Sequence, residues 1–281
     1  MTRKPLDDEI DVYGLTHPGR ARPTNQDHFL VGSIHRRLDI QQTSLTRQER
    51  LLFPEERTAF LAMVADGVGG TGGGEEASRL ALEVATQYLT ESLHCFQERP
   101  GAEGLENALQ EAALTAHAAV LERLKAEPDL VSMATTLTVW LGVWPWYYLL
   151  QVGDSRYYLY RDGTLTQITR DQTMAQDLVD QGVLKRADAG RSRLAHILSS
   201  SIGGPAAVPA VTRLRADWRN VHLLCSDGLT KHVPDEAIAE RLRTMTSARQ
   251  VAEQLLQDAL DGGGSDNITI VVGRAVPRQD P

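Results

Sequence analysis

Short runs of apolar residues, each stopped by a polar or glycine-containing turn, recur along the chain and predict buried strands. Residues 60–65 are continuously apolar and stop at Asp66-Gly67. Two other segments flank the turn Arg161-Asp162-Gly163-Thr164, which is typical of a β-hairpin. The predicted strands are residues 27–31, 59–65, 135–143, 147–152, 156–160, 165–168, 221–225 and 268–272.

Elsewhere the apolar residues recur every three or four positions, which is the spacing of one face of an α-helix. The start of the last predicted helix carries Ser247 and Gln250, the pattern of a capping box. Pro128 follows the second predicted helix as a stop signal. The predicted helices are residues 75–89, 105–125, 173–182, 234–242 and 247–260.

The order of these elements indicates the fold class. Two helices are adjacent in sequence, and several strands before and after them are joined by short turns. That order favours an α+β fold with two mainly antiparallel sheets and helices outside, over a doubly wound parallel sheet. We expect a single domain over residues 12–273, with a surface excursion at 34–58 and a flap at 182–204. Residues 1–11 are expected to be a loose N-terminal segment and 274–281 a C-terminal tail.

Composition narrows the possible partners and location. The chain has 281 residues, of which 42% are hydrophobic, so it can bury a large core. The net charge of −8 and the lack of a dense basic stretch argue against a nucleic-acid partner. The two cysteines, Cys95 and Cys225, form neither a disulfide framework nor a zinc spacing, which favours the cytoplasm. The start has no apolar signal core, and no apolar run approaches the roughly 20 residues of a membrane span, so no membrane partner is expected. A monomer is the default expectation.

Five aspartates follow or open the apolar runs, and they carry the candidate chemistry. A single Asp-Gly is a common turn, so the argument rests on the whole set. Carboxylates at strand ends can meet at one edge of a sheet, and hard cations such as Mg²⁺ and Mn²⁺ prefer carboxylate, carbonyl and water oxygens. The sequence therefore predicts a metal centre that activates water against an anionic substrate. The aspartates are Asp27, Asp66, Asp154, Asp227 and Asp266.

Six motifs in order resemble those of the metal-dependent protein phosphatases, the type 2C serine/threonine phosphatases, in their bacterial form. They are Arg22-Pro23-Thr24-Asn25-Gln26-Asp27, Asp66-Gly67-Val68-Gly69-Gly70, Thr135-Thr136, Gly153-Asp154-Ser155-Arg156, Ser226-Asp227-Gly228-Leu229 and Ser265-Asp266-Asn267. The resemblance implies a four-layer α/β/β/α sandwich with a two-metal cleft at one end of the paired sheets. It implies hydrolysis of phosphoserine and phosphothreonine on proteins, opposing a serine/threonine kinase.

The resemblance also assigns roles within a site that holds two Mn²⁺ or Mg²⁺ ions. Asp66 would bridge both ions, the Gly67 carbonyl would bind the second, and Asp227 and Asp266 would complete the first. Asp27 would lie just behind the ligands or bind through water, and Asp154 with Asp227 matches a weaker third site. A water between the ions would attack phosphorus in line, with Arg22 binding the phosphate. The catalytic residues are then Arg22, Asp66 and Asp227, while Thr135 and Thr136 would hold the sheet near the metals.

Three departures from the family pattern leave alternatives open. Val68 stands where many eukaryotic members have a histidine proposed as general acid, and Gln26 replaces a common glutamate. Residues 199–204 of the flap lack an arginine expected nearby. One alternative is a catalytically impaired, phosphoprotein-binding regulatory module of the same fold. Another is a metal-dependent nuclease, which the acidic composition disfavours. We expect the flap to shape substrate choice.

Overall fold

The structure, a computed structural model, describes residues 3–36, 56–69, 73–93, 102–127 and 132–278. A short 3₁₀ turn at Asp7–Glu9 precedes the first strand. The strands are β1 (Ile10–His17), β2 (Asp27–Arg36), β3 (Glu56–Val68), β4 (Ala134–Thr135), β5 (Leu137–Val143), β6 (Trp146–Val152), β7 (Arg156–Arg161), β8 (Thr164–Gln167), β9 (Ala210–Arg215), β10 (Val221–Cys225) and β11 (Ile268–Ala275). The helices are α1 (Gly73–Leu93), α2 (Ala102–Ala126), α3 (Met174–Asp180), α4 (Arg186–Ala189), α5 (Asp227–Thr230), α6 (Asp235–Arg243) and α7 (Ala248–Asp261).

The strands form two sheets whose neighbours pair antiparallel. One sheet has the order β1-β11-β10-β7-β8 and the other β2-β3-β5-β6-β9, with β4 paired to the end of β3. In the second sheet Asp27 of β2 lies opposite Asp66 of β3. This register places the two carboxylates side by side at one end of the sandwich.

Three cores separate four layers and confirm the predicted α+β sandwich. Helices α1 and α2 pack on the outer face of the second sheet, around residues such as Met63 and Leu141. Helices α6 and α7 cover the first sheet, where Leu255 packs against the strands. The inner faces meet through Val64, Trp140, Leu224 and Val271, among others. Because side chains alternate along a strand, Met63 faces the helices and Val64 faces the opposite sheet.

The helix predictions hold, with one difference at a cap. The α2 face predicted from periodicity is buried: Leu105, Ala108, Leu109, Ala112, Ala116 and Val120. At the start of α7 the Ser247 hydroxyl accepts a hydrogen bond from the Gln250 backbone N–H, as predicted. The Gln250 side chain instead accepts from the backbone N–H of Thr246, so the reciprocal half of the capping box lies one residue earlier. None of the described helices has the length and apolar character needed to span a membrane.

The chain ends are more ordered than expected where the structure describes them. Residues 3–11 are not a loose segment, because the buried Glu9 carboxylate accepts from Arg3 and β1 begins at Ile10. The expected tail begins inside β11, which runs to Ala275, and the Val276 N–H donates to the Glu9 carbonyl. Strands β1 and β9, which the sequence reading missed, lie at sheet edges.

The excursion and the flap are both shorter than expected. Strand β2 extends to residue 36 and β3 starts at residue 56, so only 37–55 remain of the predicted excursion; these lie outside the described residues, as does Cys95. Residues 183–197 of the flap are mostly exposed, but Ser200, Ser201 and Ile202 are buried. The Ile202 N–H donates to the Thr135 carbonyl, which ties this end of the flap to β4.

Candidate metal centre

The five predicted aspartates lie at the same end of the two sheets. Asp27 opens β2, and Asp66 lies near the end of β3. Asp154 lies between β6 and β7, Asp227 follows β10, and Asp266 precedes β11. Burial raises the pKa of Asp66 well above its usual range, and the charges of the other four aspartates raise it further. The structure therefore brings the whole predicted set into electrostatic contact.

Two threonines hold the backbone of Asp66. The Asp66 N–H donates to the Thr136 hydroxyl at 2.9 Å, and the Asp66 carbonyl accepts from the Thr136 N–H and the Thr135 hydroxyl, also at 2.9 Å. The Thr136 hydroxyl also pairs with that of Ser155 at 2.7 Å, and all three hydroxyl residues are fully buried. The expectation that these threonines bond the sheet beside the site agrees with these contacts.

Gly67 lies where no side chain fits. A Cβ atom there would lie 2.2 Å from the Gly74 carbonyl oxygen and 2.6 Å from that of Gln26. The Gly67 N–H donates to the Gln26 carbonyl at 3.2 Å, and the Gln26 amide donates to the Gly69 carbonyl at 3.3 Å. Gln26, which replaces a common glutamate, thus fixes the loop after β3.

The carboxyl group of Asp27 is buried, and only one of its two oxygens has hydrogen-bond partners. Its Oδ2 accepts from the Ser226 hydroxyl at 2.7 Å and from the Thr269 hydroxyl at 2.8 Å, whereas its Oδ1 is buried without a hydrogen-bond partner. Burial raises the pKa of Asp27 to about 6, although these hydrogen bonds oppose the shift. Ser226 and Thr269 were not singled out from the sequence, because only the paired sheets bring them to Asp27.

Asp154 lies on the cleft side of the cluster. Burial raises its pKa to about 7, with further contributions from the charges of Asp227 and Asp171, while Lys231 lowers it. The preceding Gly153 has a φ of +103°, a conformation that favours glycine. This turn directs the chain from β6 into β7 and leaves Asp154 close to Asp227.

Asp227 and Asp266 are paired with cations. Lys231 Nζ lies 2.6 Å from Asp227 Oδ2 and 2.7 Å from Asp266 Oδ2. Arg22 Nε donates to Asp266 Oδ1 at 2.8 Å. Burial lowers the pKa of Lys231, but the two carboxylates outweigh it and raise that pKa overall. Burial raises the pKa of Asp266, yet the hydrogen bonds from Arg22 and Lys231 bring it below its usual value.

Lys231 is the functional candidate that sequence reasoning missed. It was part of an unassigned stretch before the helix predicted at residue 234. The available signal was its spacing, because Lys231 follows Asp227 by four residues and α5 turns that spacing into contact.

The carboxylates suit a hard cation but are not arranged as ligands around one point. In the part of the chain that the structure describes, no group of three or more His, Cys, Asp or Glu side chains is close enough to hold an ion as it stands. Arg22 and Lys231 hold Asp266 and Asp227 instead. The donor set is nevertheless all oxygen, and the buried, unpartnered Oδ1 of Asp27 is consistent with a nearby positive charge. The residues therefore fit Mn²⁺ or Mg²⁺.

A cleft of about 1060 Å³ opens beside the cluster. It is lined by three of the five aspartates and by arginines from β7, the loop after β8 and the flap. Arg186 of the flap lines this cleft, which supplies an arginine that residues 199–204 lack. The ionisable residues of the lining are Arg22, Asp154, Arg156, Arg170, Asp171, Arg186, His196, Asp227, Lys231, His232 and Asp266.

Comparisons with known proteins identify the family. The family model described as Protein phosphatase 2C matches residues 40–262. The serine/threonine protein phosphatase PstP of Mycobacterium tuberculosis is 38% identical over 218 residues, which cover 78% of this chain and 41% of PstP. The chain thus spans about two fifths of that relative's length. The serine/threonine phosphatase stp of Listeria welshimeri is 30% identical over 222 residues, which cover 79% of this chain and 86% of stp.

A solved structure agrees with the family model and with these two relatives. The PstP catalytic domain in complex with two manganese ions has a TM-score of 0.72 at 32% identity, covering 95% of this chain and 99% of that one. The fold, the ordered motifs and the sequence match lead to one conclusion: this chain belongs to the protein phosphatase 2C family, a family of phosphatase enzymes.

Proposed function

We propose that this chain hydrolyses phosphoserine and phosphothreonine on proteins with the help of Mn²⁺ or Mg²⁺. The observation that carries the proposal is the convergence of five carboxylates at one end of the two sheets. Asp154, Asp227 and Asp266 line the cleft there, and Arg22 and Lys231 pair with Asp227 and Asp266. An excess of buried negative charge is costly, and bound cations would relieve it. PstP, which is similar to this chain, is described with two manganese ions.

The proposed ligands are those that the family resemblance implies. Asp66, the Gly67 carbonyl, Asp227 and Asp266 would hold the two ions. Asp27 supports the site from behind, where Ser226 and Thr269 fix its other oxygen. Asp154, close to Asp227, belongs to a third and weaker site.

The chain's own residues position the reaction. When bound, the cations would supply positive charge to the phosphoryl oxygens and would make a water molecule a stronger nucleophile toward phosphorus. Thr135 and Thr136 prevent the Asp66 backbone from shifting. Arg22, half exposed at the mouth of the cleft, can turn from Asp266 to bind two phosphoryl oxygens through its planar guanidinium. The flap lines the same cleft and would contact the peptide around the phosphorylated residue.

The same proposal covers the substrates, the opposing kinase, the oligomeric state and the location of the protein. Phosphorylated proteins are the substrates, and a serine/threonine kinase supplies them. We also propose that the chain is a single catalytic domain and acts as a monomer in the cytoplasm. The support for this comes from the amino-acid sequence.

The test is hydrolysis of a phosphothreonine peptide with and without Mn²⁺. We expect activity that requires the metal and falls by at least about a hundredfold in Asp66→Ala and Asp227→Ala, because both change the charge that stabilises the transition state. Asp8→Ala removes an exposed carboxylate in the 3₁₀ turn before β1, at the far end of the sandwich, and serves as the control. Near wild-type activity in Asp66→Ala or Asp227→Ala would refute the site assignment.

The regulatory-module alternative makes a different prediction. Val68 is 46% exposed beside the cluster and offers no proton to a leaving group, which is the observation in its favour. A protein that binds the phosphopeptide but releases no phosphate at any Mn²⁺ concentration would support the module and contradict the enzyme.

A further inference from the structure

Lys231 lies between two carboxylates that the proposed function assigns to the first metal ion. We propose that Lys231 is a tethered counter-ion: its ammonium group neutralises Asp227 and Asp266 in the metal-free protein and is displaced when a divalent ion binds there. This inference rests on the proposed metal centre, and it adds a residue that sets the affinity of that centre for its ion.

The contacts make the ammonium and the ion mutually exclusive. Nζ lies 2.6 Å from Asp227 Oδ2 and 2.7 Å from Asp266 Oδ2. A divalent ion bound to the same oxygens would lie at about 2.0–2.1 Å from them, as Mg²⁺ does in proteins. Two cations that share these oxygens would repel each other strongly in a partly buried site. The ammonium must therefore move away before both carboxylates can bind the ion.

Local structure keeps the ammonium near the site after displacement. The Lys231 N–H donates to the Asp227 carbonyl at 2.9 Å, so the lysine backbone is fixed one helical turn beyond the carboxylate. The flexible four-carbon stem allows Nζ to swing into the adjoining cleft, which Lys231 also lines. Displacement thus needs side-chain rotation only.

Arg22 does not make Lys231 redundant. Arg22 donates to Asp266 through both Nε, at 2.8 Å from Oδ1, and Nη2, at 3.2 Å from Oδ2. Lys231 contacts Oδ2 of Asp266 and, in addition, Oδ2 of Asp227. Lys231 is therefore the cation that joins the two carboxylates. Its loss should have opposite effects on the two states: the metal-free protein becomes less stable, and Mn²⁺ binds more tightly.

The experiment compares Lys231→Met with wild type at one fixed pH. Methionine keeps most of the aliphatic stem and removes the charge. Lys125→Met removes the same charge from an exposed position near the end of α2, a different element, and is the control. Isothermal titration of the metal-free proteins gives the Mn²⁺ dissociation constant, and thermal unfolding gives the stability of each state.

For Lys231→Met we expect an Mn²⁺ dissociation constant lower by about tenfold or more, since the ion no longer competes with two charge-assisted hydrogen bonds. We also expect a lower melting temperature without metal and a larger gain on adding Mn²⁺. Lys125→Met should match wild type in all three. An unchanged or weaker Mn²⁺ affinity in Lys231→Met would overturn the proposal.

A second measurement uses the wild-type protein and does not depend on the variant folding. Limited acetylation of lysines, followed by peptide mass spectrometry, reports access to each ammonium group. Saturating Mn²⁺ should increase labelling of Lys231 relative to Lys125 in the same sample, and an unchanged ratio would contradict displacement.

The phosphopeptide assay separates this inference from the proposed function. Tighter Mn²⁺ binding without any hydrolysis would support the counter-ion and refute the enzyme, whereas hydrolysis with unchanged affinity would do the reverse.

Discussion

The hydroxyl of Thr136 offers a direct test of how the fold positions Asp66. Thr136→Val keeps the side-chain shape but removes the acceptor of the Asp66 N–H and the partner of the Ser155 hydroxyl, at 2.9 and 2.7 Å. Leaving the buried N–H unsatisfied costs about 1–3 kcal/mol, and losing the hydroxyl pair costs about 1 kcal/mol more. We therefore expect a loss of about 2–4 kcal/mol in the free energy of unfolding.

Thr138→Val is the matched control, because Thr138 is equally buried on the next strand but makes a longer hydrogen bond, 3.3 Å to the Ser155 carbonyl. Its expected cost is about 1 kcal/mol or less. Urea unfolding of the metal-free proteins measures both values, and Mn²⁺ titration should show weaker binding in Thr136→Val alone. Equal stability and equal Mn²⁺ affinity in the two variants would refute the positioning role of Thr136.

Three further predictions follow from the same structure. The pKa of Asp27 is raised to about 6 and that of Asp154 to about 7 in the folded, metal-free protein. The folded protein therefore keeps two protons that the unfolded chain loses near pH 4. The stability that these protons contribute is lost as the pH rises through about 6 and about 7. The gain in melting temperature from saturating Mn²⁺ should therefore increase between about pH 5.5 and 7.5; a constant gain contradicts this. Replacing flap residues 183–196 with a short loop should change the preference among phosphopeptides more than the hydrolysis of a small aryl phosphate, and unchanged preferences would exclude the flap from recognition. Ser247→Ala should lower stability by about 1 kcal/mol through loss of the α7 cap, measured by urea unfolding, with no change in Mn²⁺ affinity.

Elements with a strong local pattern were predictable from the sequence. Strand β10 was predicted at its observed bounds because a mostly apolar run, interrupted by His222, ends at Ser226-Asp227-Gly228. Helix α7 was found from its apolar face and from Ser247. In both elements, the apolar residues that are buried in the core also form the pattern by which the element is recognised in the sequence.

Of the four edge strands, β2 and β8 were predicted, but β1 and β9 were not predictable in this way. Strand β1 contains Gly14 and Asp11, and its burial is only partial, while β9 has four exposed and two partly buried residues. Each is held by backbone hydrogen bonds to one neighbour, β11 or β6. Such pairing depends on tertiary contacts and leaves a weak sequence signal.

The residues of the candidate site also fall into those that the sequence pattern identifies and those that it does not. The aspartates were identifiable because each lies in a short motif at the end of an apolar run. Of their partners, Thr135 and Thr136 were identified, but Thr269 and Lys231 were not, since Asp27 meets Thr269 across 242 positions and Lys231 meets Asp266 across 35. Those contacts exist only once the sheets are paired.

The most direct measurement of the central claim is a crystal structure of the protein soaked in Mn²⁺, with anomalous scattering used to locate the ions. The account predicts at least two manganese peaks in the cleft, one of them bound by both Asp227 and Asp266 and both of them in contact with Asp66. The Lys231 ammonium should have moved out into the cleft. Manganese that is absent from this cluster at saturating concentration, or bound without Asp66, would contradict the account.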